Sequence, residues 1–260
     1  MIKVSTYRGA AIEVQQFTFS GGEVQVKLPV SPEAVDKVSV EALIQSSDDV
    51  MALLMVNEVI DRNLRPLRKT LVLPYLPYAR QDRACAAGEA IGAKVFGGLI
   101  NSMGFCSVMV SDSHSDVGVA CINNCRNWKQ VDLIDPIALG KLANGAVLVS
   151  PDIGASKKSA EICKIHHLEY FVQANKVRDT QTGEILETTV DYTGLGDWSA
   201  VIVDDICDGG RTFIELAKAL REQDCTNIHL HVTHGIFSKG KEVFDGLIDE
   251  VTATYDWTES

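Results

Sequence analysis

Short apolar runs that favour β-branched residues alternate along this chain with longer stretches whose apolar positions recur every three or four residues. The segment "IEVQQFTFSGGEVQVKLP" alternates about Gly21 and Gly22 and predicts a β-hairpin. "VEALIQ" reads as a strand and "DDVMALLMVNEVIDRNL" as an apolar-faced helix. There follow "KTLVLPYLPY" (strand), "EAIGAKVFGGLINSMG" (helix), "CSVMVSD" (strand) and "DPIALGKLANG" (helix). The second half repeats the alternation through "AVLVSPD", "SKKSAEICKIHH", "LEYFVQANK", "WSAVIVDD", "TFIELAKALREQ", "NIHLHVTHGIF", "GKEVFDGLI" and "EVTATYD". Alternating strands and helices imply right-handed crossovers and mainly parallel sheets. The expected architecture is therefore two tandem α/β units, residues 1–135 and 136–260, with no low-complexity linker between them. In such sheets ligands bind beyond the carboxyl ends of the strands. The polar motifs "PYARQDR", "SDSHSD", "SPDIG", "NKVR" and "DDICDGGRT" all fall there.

Composition narrows the partners. A chain of 260 residues that is 46% hydrophobic has ample core for two modest domains. Its 24 basic against 35 acidic residues give a formal charge of −11, which argues against nucleic acid or an anionic membrane as the main partner. The opening "MIKVSTYRGA" lacks the apolar core of a signal peptide, and no apolar run approaches the roughly 20 residues that span a bilayer. A cytoplasmic protein is expected. Seven cysteines in scattered, mostly apolar contexts read as free thiols in a reducing compartment. Cys121 and Cys125 of "CINNC" have a tolerable zinc spacing but no second ligand pair beside them. In "HLHVTH", only His229 and His231 share a strand face. The sequence offers no carboxylate to complete a metal site there, so a structural role is expected.

The densest candidate chemistry is "VIVDDICDGGRTF", residues 201–213. Val201, Ile202 and Val203 read as the end of a buried parallel strand, with Asp204 and Asp205 placed where it leaves the sheet. Gly209 and Gly210 then lead into a helix that opens at Thr212. Strand, Gly-rich turn and helix N-terminus offer backbone N–H groups to a phosphate. The aspartates fit a ligand with phosphate at one end and hydroxyls at the other, as in a sugar phosphate. An ordinary loop whose acids cap the next helix would look the same.

Taken in order, the five motifs resemble the ribose-phosphate pyrophosphokinase (phosphoribosyl pyrophosphate synthetase) family in a compact form. The resemblance runs from "FSGGEVQV" to "VTHGIFS". It is specific because "PYARQDR" occurs together with "VDDICDGGRT"; the second alone would suit a phosphoribosyltransferase. The family moves the β,γ-diphosphoryl group of ATP onto the anomeric hydroxyl of ribose 5-phosphate, with Mg²⁺, on two phosphoribosyltransferase-like domains. The resemblance implies that Arg80 and Gln81 contact ATP, and that Phe19 and Glu23 approach adenine from a neighbouring subunit of a homo-oligomer. His114 and Asp152 match the Mg²⁺-associated positions, and Lys176 and Arg178 the catalytic pair, with Arg178 also near the sugar phosphate. Asp204 and Asp205 would hold the ribose hydroxyls, and Asp208, Gly209, Gly210, Arg211 and Thr212 the 5-phosphate. Diphosphoryl transfer is mainly positioning plus neutralisation of phosphate charge, for which a Lys/Arg pair is suited. By itself "NKVR" would read as a solvated strand end.

Three positions depart from the family pattern. The phosphate loop reads Asp208-Gly209-Gly210-Arg211-Thr212 where Asp-Thr-Gly-Gly-Thr is usual, "RACAAGEA" lacks the arginines usual after Arg83, and Gly21 replaces an aspartate. Two other classes remain: a phosphoribosyltransferase, which has no use for "PYARQDR", and a catalytically silent subunit that assembles with true synthetases.

Overall fold

The computed structural model describes residues 1–6, 10–30, 34–178, 185–190, 192 and 197–259; the side chains of residues 176–178 and 185–187 are outside the description. The chain divides into two units, Met1–Trp128 and Lys129–Ser260. Each is a six-stranded sheet of mixed but mainly parallel strands.

The first unit begins with β1 (Ile2–Thr6) and β2 (Ala11–Ile12), and a separate hairpin follows, β3 (Gln15–Thr18) and β4 (Val24–Lys27). Next come β5 (Lys37–Ala42), α1 (Ser47–Val59), β6 (Arg68–Leu73), α2 (Gly92–Ser102), β7 (Ser107–Ser111), α3 (Asp116–Ala120) and β8 (Cys125–Trp128). The sheet order is β2-β1-β5-β6-β7-β8, antiparallel at β2-β1-β5 and parallel from β5 to β8. Ser46 caps α1 through a reciprocal box with Asp49: its Oγ accepts from Asp49 N at 3.2 Å, and Asp49 Oδ2 accepts from Ser46 N at 2.9 Å. Leu53, Val56 and Ile60 carry the helix face into the core. A π-helical turn, Ile60–Leu64, ends in Arg65 at φ 40°. The predicted strand "KTLVLPYLPY" stops at Leu73, because Pro74 and Pro77 cannot donate to a ladder.

The second unit contains α4 (Pro136–Ala143), β9 (Val147–Ser150), α5 (Ser156–His166), β10 (Val172–Arg178), β11 (Ile185–Val190), β12 (Trp198–Cys207), α6 (Arg211–Arg221), β13 (Cys225–Gly235) and β14 (Glu250–Asp256). Its sheet order is β11-β10-β9-β12-β13-β14, with only β11 antiparallel. Phe213, Leu216, Ala217 and Leu220 form the buried stripe of α6, at the spacing that one helix face requires. "GKEVFDGLI", helical by alternation, forms only a 3₁₀ turn, Glu242–Phe244. The division at Trp128/Lys129 precedes the boundary expected after residue 135. Asp135 belongs with the second unit: it caps α4 by accepting from Ile137 N (2.7 Å) and Ala138 N (3.0 Å), and accepts from Thr252 Oγ1 of β14 (2.7 Å).

That same carboxylate also meets the histidines. His229 and His231 are fully buried and do meet carboxylates, brought from distant elements. His231 Nδ1 lies 2.7 Å from Asp135 Oδ2, and His229 Nδ1 lies 3.2 Å from Glu250 Oε2. Thr252 Oγ1 is 3.0 Å from both His229 Nε2 and His231 Nδ1. Lys141 completes the network at 3.1 Å from Glu250. Each ring nitrogen thus has a partner within the fold; Thr254 Oγ1, 3.4 Å from His231 Nε2, is the most distant of these. Burial pushes the His231 pKa below the ordinary histidine value, against the attraction of Asp135. Burial raises the Asp135 carboxyl, but the bonds from Thr252, Ala138 and Ile137 and the charge of His231 outweigh it and leave the carboxyl below its usual value.

Both shifts act on stability in one direction. A histidine with a depressed folded pKa lets the unfolded chain take up the extra proton, so stability falls as pH drops below about 6.5. The depressed Asp135 value adds stability above about 3.9 that is lost at still lower pH. We expect the melting temperature to fall between pH 7 and pH 5, and His231→Asn to be less stable at pH 7 but flatter over that interval. Equal slopes for the two proteins in thermal unfolding would exclude His231 as the titrating group.

Candidate active site

In the second unit the predicted residues converge on three adjacent parallel strands, β10, β9 and β12. After β9 the chain turns through Pro151 and Asp152 into a 3₁₀ turn, Ile153–Ala155, that leads into α5. Asp152 Oδ1 accepts from Ala155 N at 3.1 Å, and its carbonyl accepts from Ser150 Oγ at 3.0 Å, so the carboxylate is held at the end of the strand. Asp204 and Asp205 lie within β12 rather than beyond it. The ladder with β13 continues through Asp204↔Val232 to Cys207↔Gly235, because both strands run on together. Asp204 Oδ1 accepts from Asp205 N at 2.9 Å. Asp205 is buried, with its Oδ2 3.3 Å from Lys158 Nζ on α5.

These acids crowd one another. Burial, then the charge of Asp205 and that of Asp152, push the Asp204 carboxyl well above the usual carboxylate range, against the Asp205 N–H and the Lys158 ammonium. A ligand that brings hydroxyl donors or a divalent cation would relieve this crowding. Mg²⁺ takes few protein oxygens and keeps several waters, so one or two carboxylates at the carboxyl ends of β9 and β12 would suffice to hold it.

Asp208 and Gly209 carry the chain from β12 to α6. Ser238 pins this turn: its N donates to Asp208 O (3.1 Å) and its Oγ to Asp208 Oδ1 (2.6 Å). Gly210 is the N-cap residue at φ 76°, and among the described residues no side chain caps the helix. The alternative in which the acids cap α6 is therefore set aside, and the N–H groups of its first turn remain directed at the loop. Thr212 is half-buried; Arg211 is exposed and has no polar partner among the described residues. Cys207, beneath the loop, is a poor nucleophile: burial, then Asp204 and Asp208, push its thiol up to about 12.

Lys176 and Arg178 belong to β10. Only Val172 and Gln173 of this strand pair with β9; beyond them the ladder is with β11, Lys176 opposite Thr188, with an irregularity between Val177 and Arg178. The expectation that alternation aims both cations to one side concerns side chains outside the described residues.

In the first unit, Arg80 and Gln81 follow β6 and His114 follows β7, at the carboxyl ends of neighbouring parallel strands. The two loops are tied by Ser115 Oγ, which donates to Asp82 Oδ2 at 2.6 Å and accepts from Val117 N as the cap of α3. Gln81 O accepts from Ala93 N at the start of α2 (3.2 Å). Arg80, Gln81 and His114 are all exposed. Phe19 and Glu23 stand apart, at the exposed tip of the hairpin, where Phe19 N donates to Glu23 O at 2.8 Å. The Phe19 ring packs edge-on against Phe17, and neither Phe19 nor Glu23 makes a hydrogen bond, ion pair or ring contact with Arg80, Gln81 or His114. His114 lies in the first unit and Asp152 in the second. At "CINNC", burial raises the Cys125 thiol to about 11, and no group of three potential metal ligands occurs among the described residues.

Three residues escaped the sequence reading: Asp82, Ser115 and Lys158. Lys158 had a signal. Two lysines, Lys157 and Lys158, open α5, where the helix dipole disfavours cations. Such a placement points to an anion in front of the helix, here Asp205.

Comparison with known proteins agrees with this fold. The family model described as the N-terminal domain of ribose phosphate pyrophosphokinase matches residues 4–104, and that of the phosphoribosyl transferase domain matches residues 164–252. The ribose-phosphate pyrophosphokinase of Cereibacter sphaeroides is 30% identical over 247 residues, 91% of this chain and 71% of the relative. That of Chlorobaculum tepidum is 28% identical over 239 residues, 91% of this chain and 73% of the relative. The crystal structure of phosphoribosylpyrophosphate synthetase from Mycobacterium smegmatis shares the fold, with a TM-score of 0.77 at 21% identity over 95% of this chain and 81% of that one. With one such relative at 30% identity over most of both chains, and both halves matched in order, the chain belongs to the ribose-phosphate pyrophosphokinase family.

Proposed function

We infer that this chain is a ribose-phosphate diphosphokinase, which transfers the diphosphoryl group of ATP to the anomeric hydroxyl of ribose 5-phosphate and releases AMP. The observation that carries this reading is the sugar-phosphate half-site itself. Asp204 and Asp205 lie on one strand, joined by the Asp208–Gly210 turn to an uncapped helix N-terminus, with Asp152 at the end of the next strand. The anomeric oxygen bonds to the β-phosphorus, the bond from that phosphorus to the α,β-bridging oxygen breaks, and the hydroxyl proton is lost. Asp204 and Asp205 accept hydrogen bonds from the ribose hydroxyls and so orient the anomeric oxygen. The turn and first helical residues hold the 5-phosphate. Lys176 and Arg178 neutralise charge on the transferring group. On the ATP side, Arg80 and Gln81 take the nucleotide. Asp152 of the second unit would hold Mg²⁺, which would supply neutralisation of phosphate charge, and His114 of the first unit would act through water or an ATP phosphate.

The decisive assay is AMP release from ATP. Release only when ribose 5-phosphate and Mg²⁺ are both present supports this reading. AMP formation independent of the sugar, or consumption of phosphoribosyl pyrophosphate with a nucleobase, favours another. Asp152→Ala should raise the Mg²⁺ concentration for half-maximal activity at least about fivefold, and His114→Ala less, since an imidazole is a poor Mg²⁺ ligand. Unchanged magnesium titrations for both would remove them from the metal site.

The exposed hairpin tip suggests a site shared between chains. Phe19, half-exposed and with its ring partnered among the described residues by Phe17, is an aromatic surface available to a base. On this reading the active form is at least a dimer, and Glu23→Ala mixed with Lys176→Ala regains activity through hybrid sites. Full activity in a monomer by sedimentation would exclude it.

A further inference from the structure

We propose that Lys239 is a binding residue for the 5-phosphate, clamping the sugar phosphate over the Gly209 turn. The proposal rests on the ribose-phosphate reading above and adds a residue outside every motif that carries it.

The dianionic phosphate would sit close to three carboxylates, Asp204, Asp205 and Asp208, so the origin of its compensating charge is a physical question. Nearby lysines are already engaged. Lys158 is held by Asp205 at 3.3 Å, and Lys241 is ion-paired with Asp256 while lying 5.2 Å over the Phe237 ring. Two cations beside the turn have no carboxylate partner among the described residues, Arg211 and Lys239. In a chain with an excess of eleven acidic charges, these two exposed cations beside a helix N-terminus are available to an anion.

Lys239 is the better placed. A Cβ added at Gly209 would lie 3.5 Å from Lys239 Cε and 3.6 Å from its Cδ, so the lysine stem lies along the turn and the ammonium is one bond further on. The backbone that carries it is fixed. Ile236 N and Phe237 N both donate to Cys207 O (2.8 and 3.1 Å), and Ser238 bonds Asp208 through both N and Oγ. Ser238 also occupies the Asp208 Oδ1, which lowers the repulsion that this acid would exert on a phosphate. Arg211 is the first residue of α6, so one cation is carried on each side of the turn.

The test is calorimetric titration of ribose 5-phosphate into wild type, Lys239→Met, Lys239→Glu and Lys239→Arg, with steady-state kinetics alongside. We expect about tenfold weaker binding for Lys239→Met, a larger loss for Lys239→Glu and near-wild-type affinity for Lys239→Arg, as for a lost charge-assisted hydrogen bond. The KM for ribose 5-phosphate should rise in parallel while that for ATP stays constant, a split that general unfolding would not give. Wild-type affinity in Lys239→Met, or equal losses in Lys239→Met and Lys239→Arg, overturns the proposal and leaves the diphosphokinase reading intact. A wild-type chain that takes up no ribose 5-phosphate overturns both.

Discussion

Lys176→Ala is expected to lower kcat by at least about a hundredfold while ribose 5-phosphate still binds with nearly wild-type affinity. The argument is one of timing. Charge on the transferring diphosphoryl group is redistributed on the way to the transition state, and a cation fixed beside it acts on that redistribution rather than on the resting substrate. Removing such a donor has the scale of a lost oxyanion-hole group, roughly 2.7–4 kcal/mol in the barrier. The scaffold supports a fixed donor, because Lys176 is carried by a strand paired to β11 on one side and continuous with the β9 ladder behind it. In the proposed function the ribose hydroxyls and the phosphate are gripped from a different strand, β12, and the turn after it, so their affinity should be left in place. The pattern to look for is kcat and kcat/KM falling together. A variant with near-normal kcat and a raised KM would place Lys176 in substrate binding and not in the chemistry.

The parallel strands were legible because their signal is local. "LVL", "VMV", "VLV" and "AVIV" are buried or half-buried throughout, and a strand in that setting needs little beyond β-branched and aliphatic residues. Helix α6 was equally plain, since its buried stripe at Phe213, Leu216, Ala217 and Leu220 repeats with the helical period. The misreadings have a common origin in non-local partners. β8 is only four residues of mixed polarity, "CRNW", and exists because β7 offers it a register. β12 extends past its apolar run through two aspartates because β13 continues beside it. Conversely, "GKEVFDGLI" has helical spacing but lacks length, and Gly240 and Gly246, at φ 74° and 76°, confine it to one 3₁₀ turn.

The site divides in the same way. Its loops were legible because glycine, aspartate and arginine at strand ends are costly unless they serve a ligand, and their order along the chain matched one family. Support around them was not. Asp135 and Glu250 are remote from His229 and His231 in sequence, and only the folding of β14 beside β13 brings three of these side chains together. Lys158 was concealed by appearance, since a lysine pair in "SKKSAE" looks like solvated helix surface until its position in the first turn is known.

The second large effect concerns Gly210, where backbone geometry and packing act on the same atom. Its φ of 76° lies in the left-handed region, which costs a residue with a Cβ about 1–3 kcal/mol. A Cβ there would also lie 2.7 Å from Phe244 Cζ and 2.9 Å from its Cε1, inside any real contact distance, with Val243 Cγ2 at 3.3 Å. Phe244 cannot step aside cheaply, because it is almost fully buried and packs edge-on against Phe237 at 6.5 Å. Overpacking of this kind adds a further 1–3 kcal/mol or so. Gly210→Ala should therefore lose roughly 3 kcal/mol in chemical denaturation, and what remains folded should bind ribose 5-phosphate weakly, since relief of the clash moves the first turn of α6, proposed above to hold the phosphate. The two contributions can be separated. In Gly210→Ala combined with Phe244→Leu, the steric part is relieved and the conformational part persists, so the double variant should be more stable than the sum of the single losses allows. Strict additivity would assign the whole cost to backbone conformation. A Gly210→Ala protein with wild-type stability and wild-type sugar-phosphate affinity would mean that the turn adopts a different conformation, and that α6 does not present its N-terminus to the phosphate.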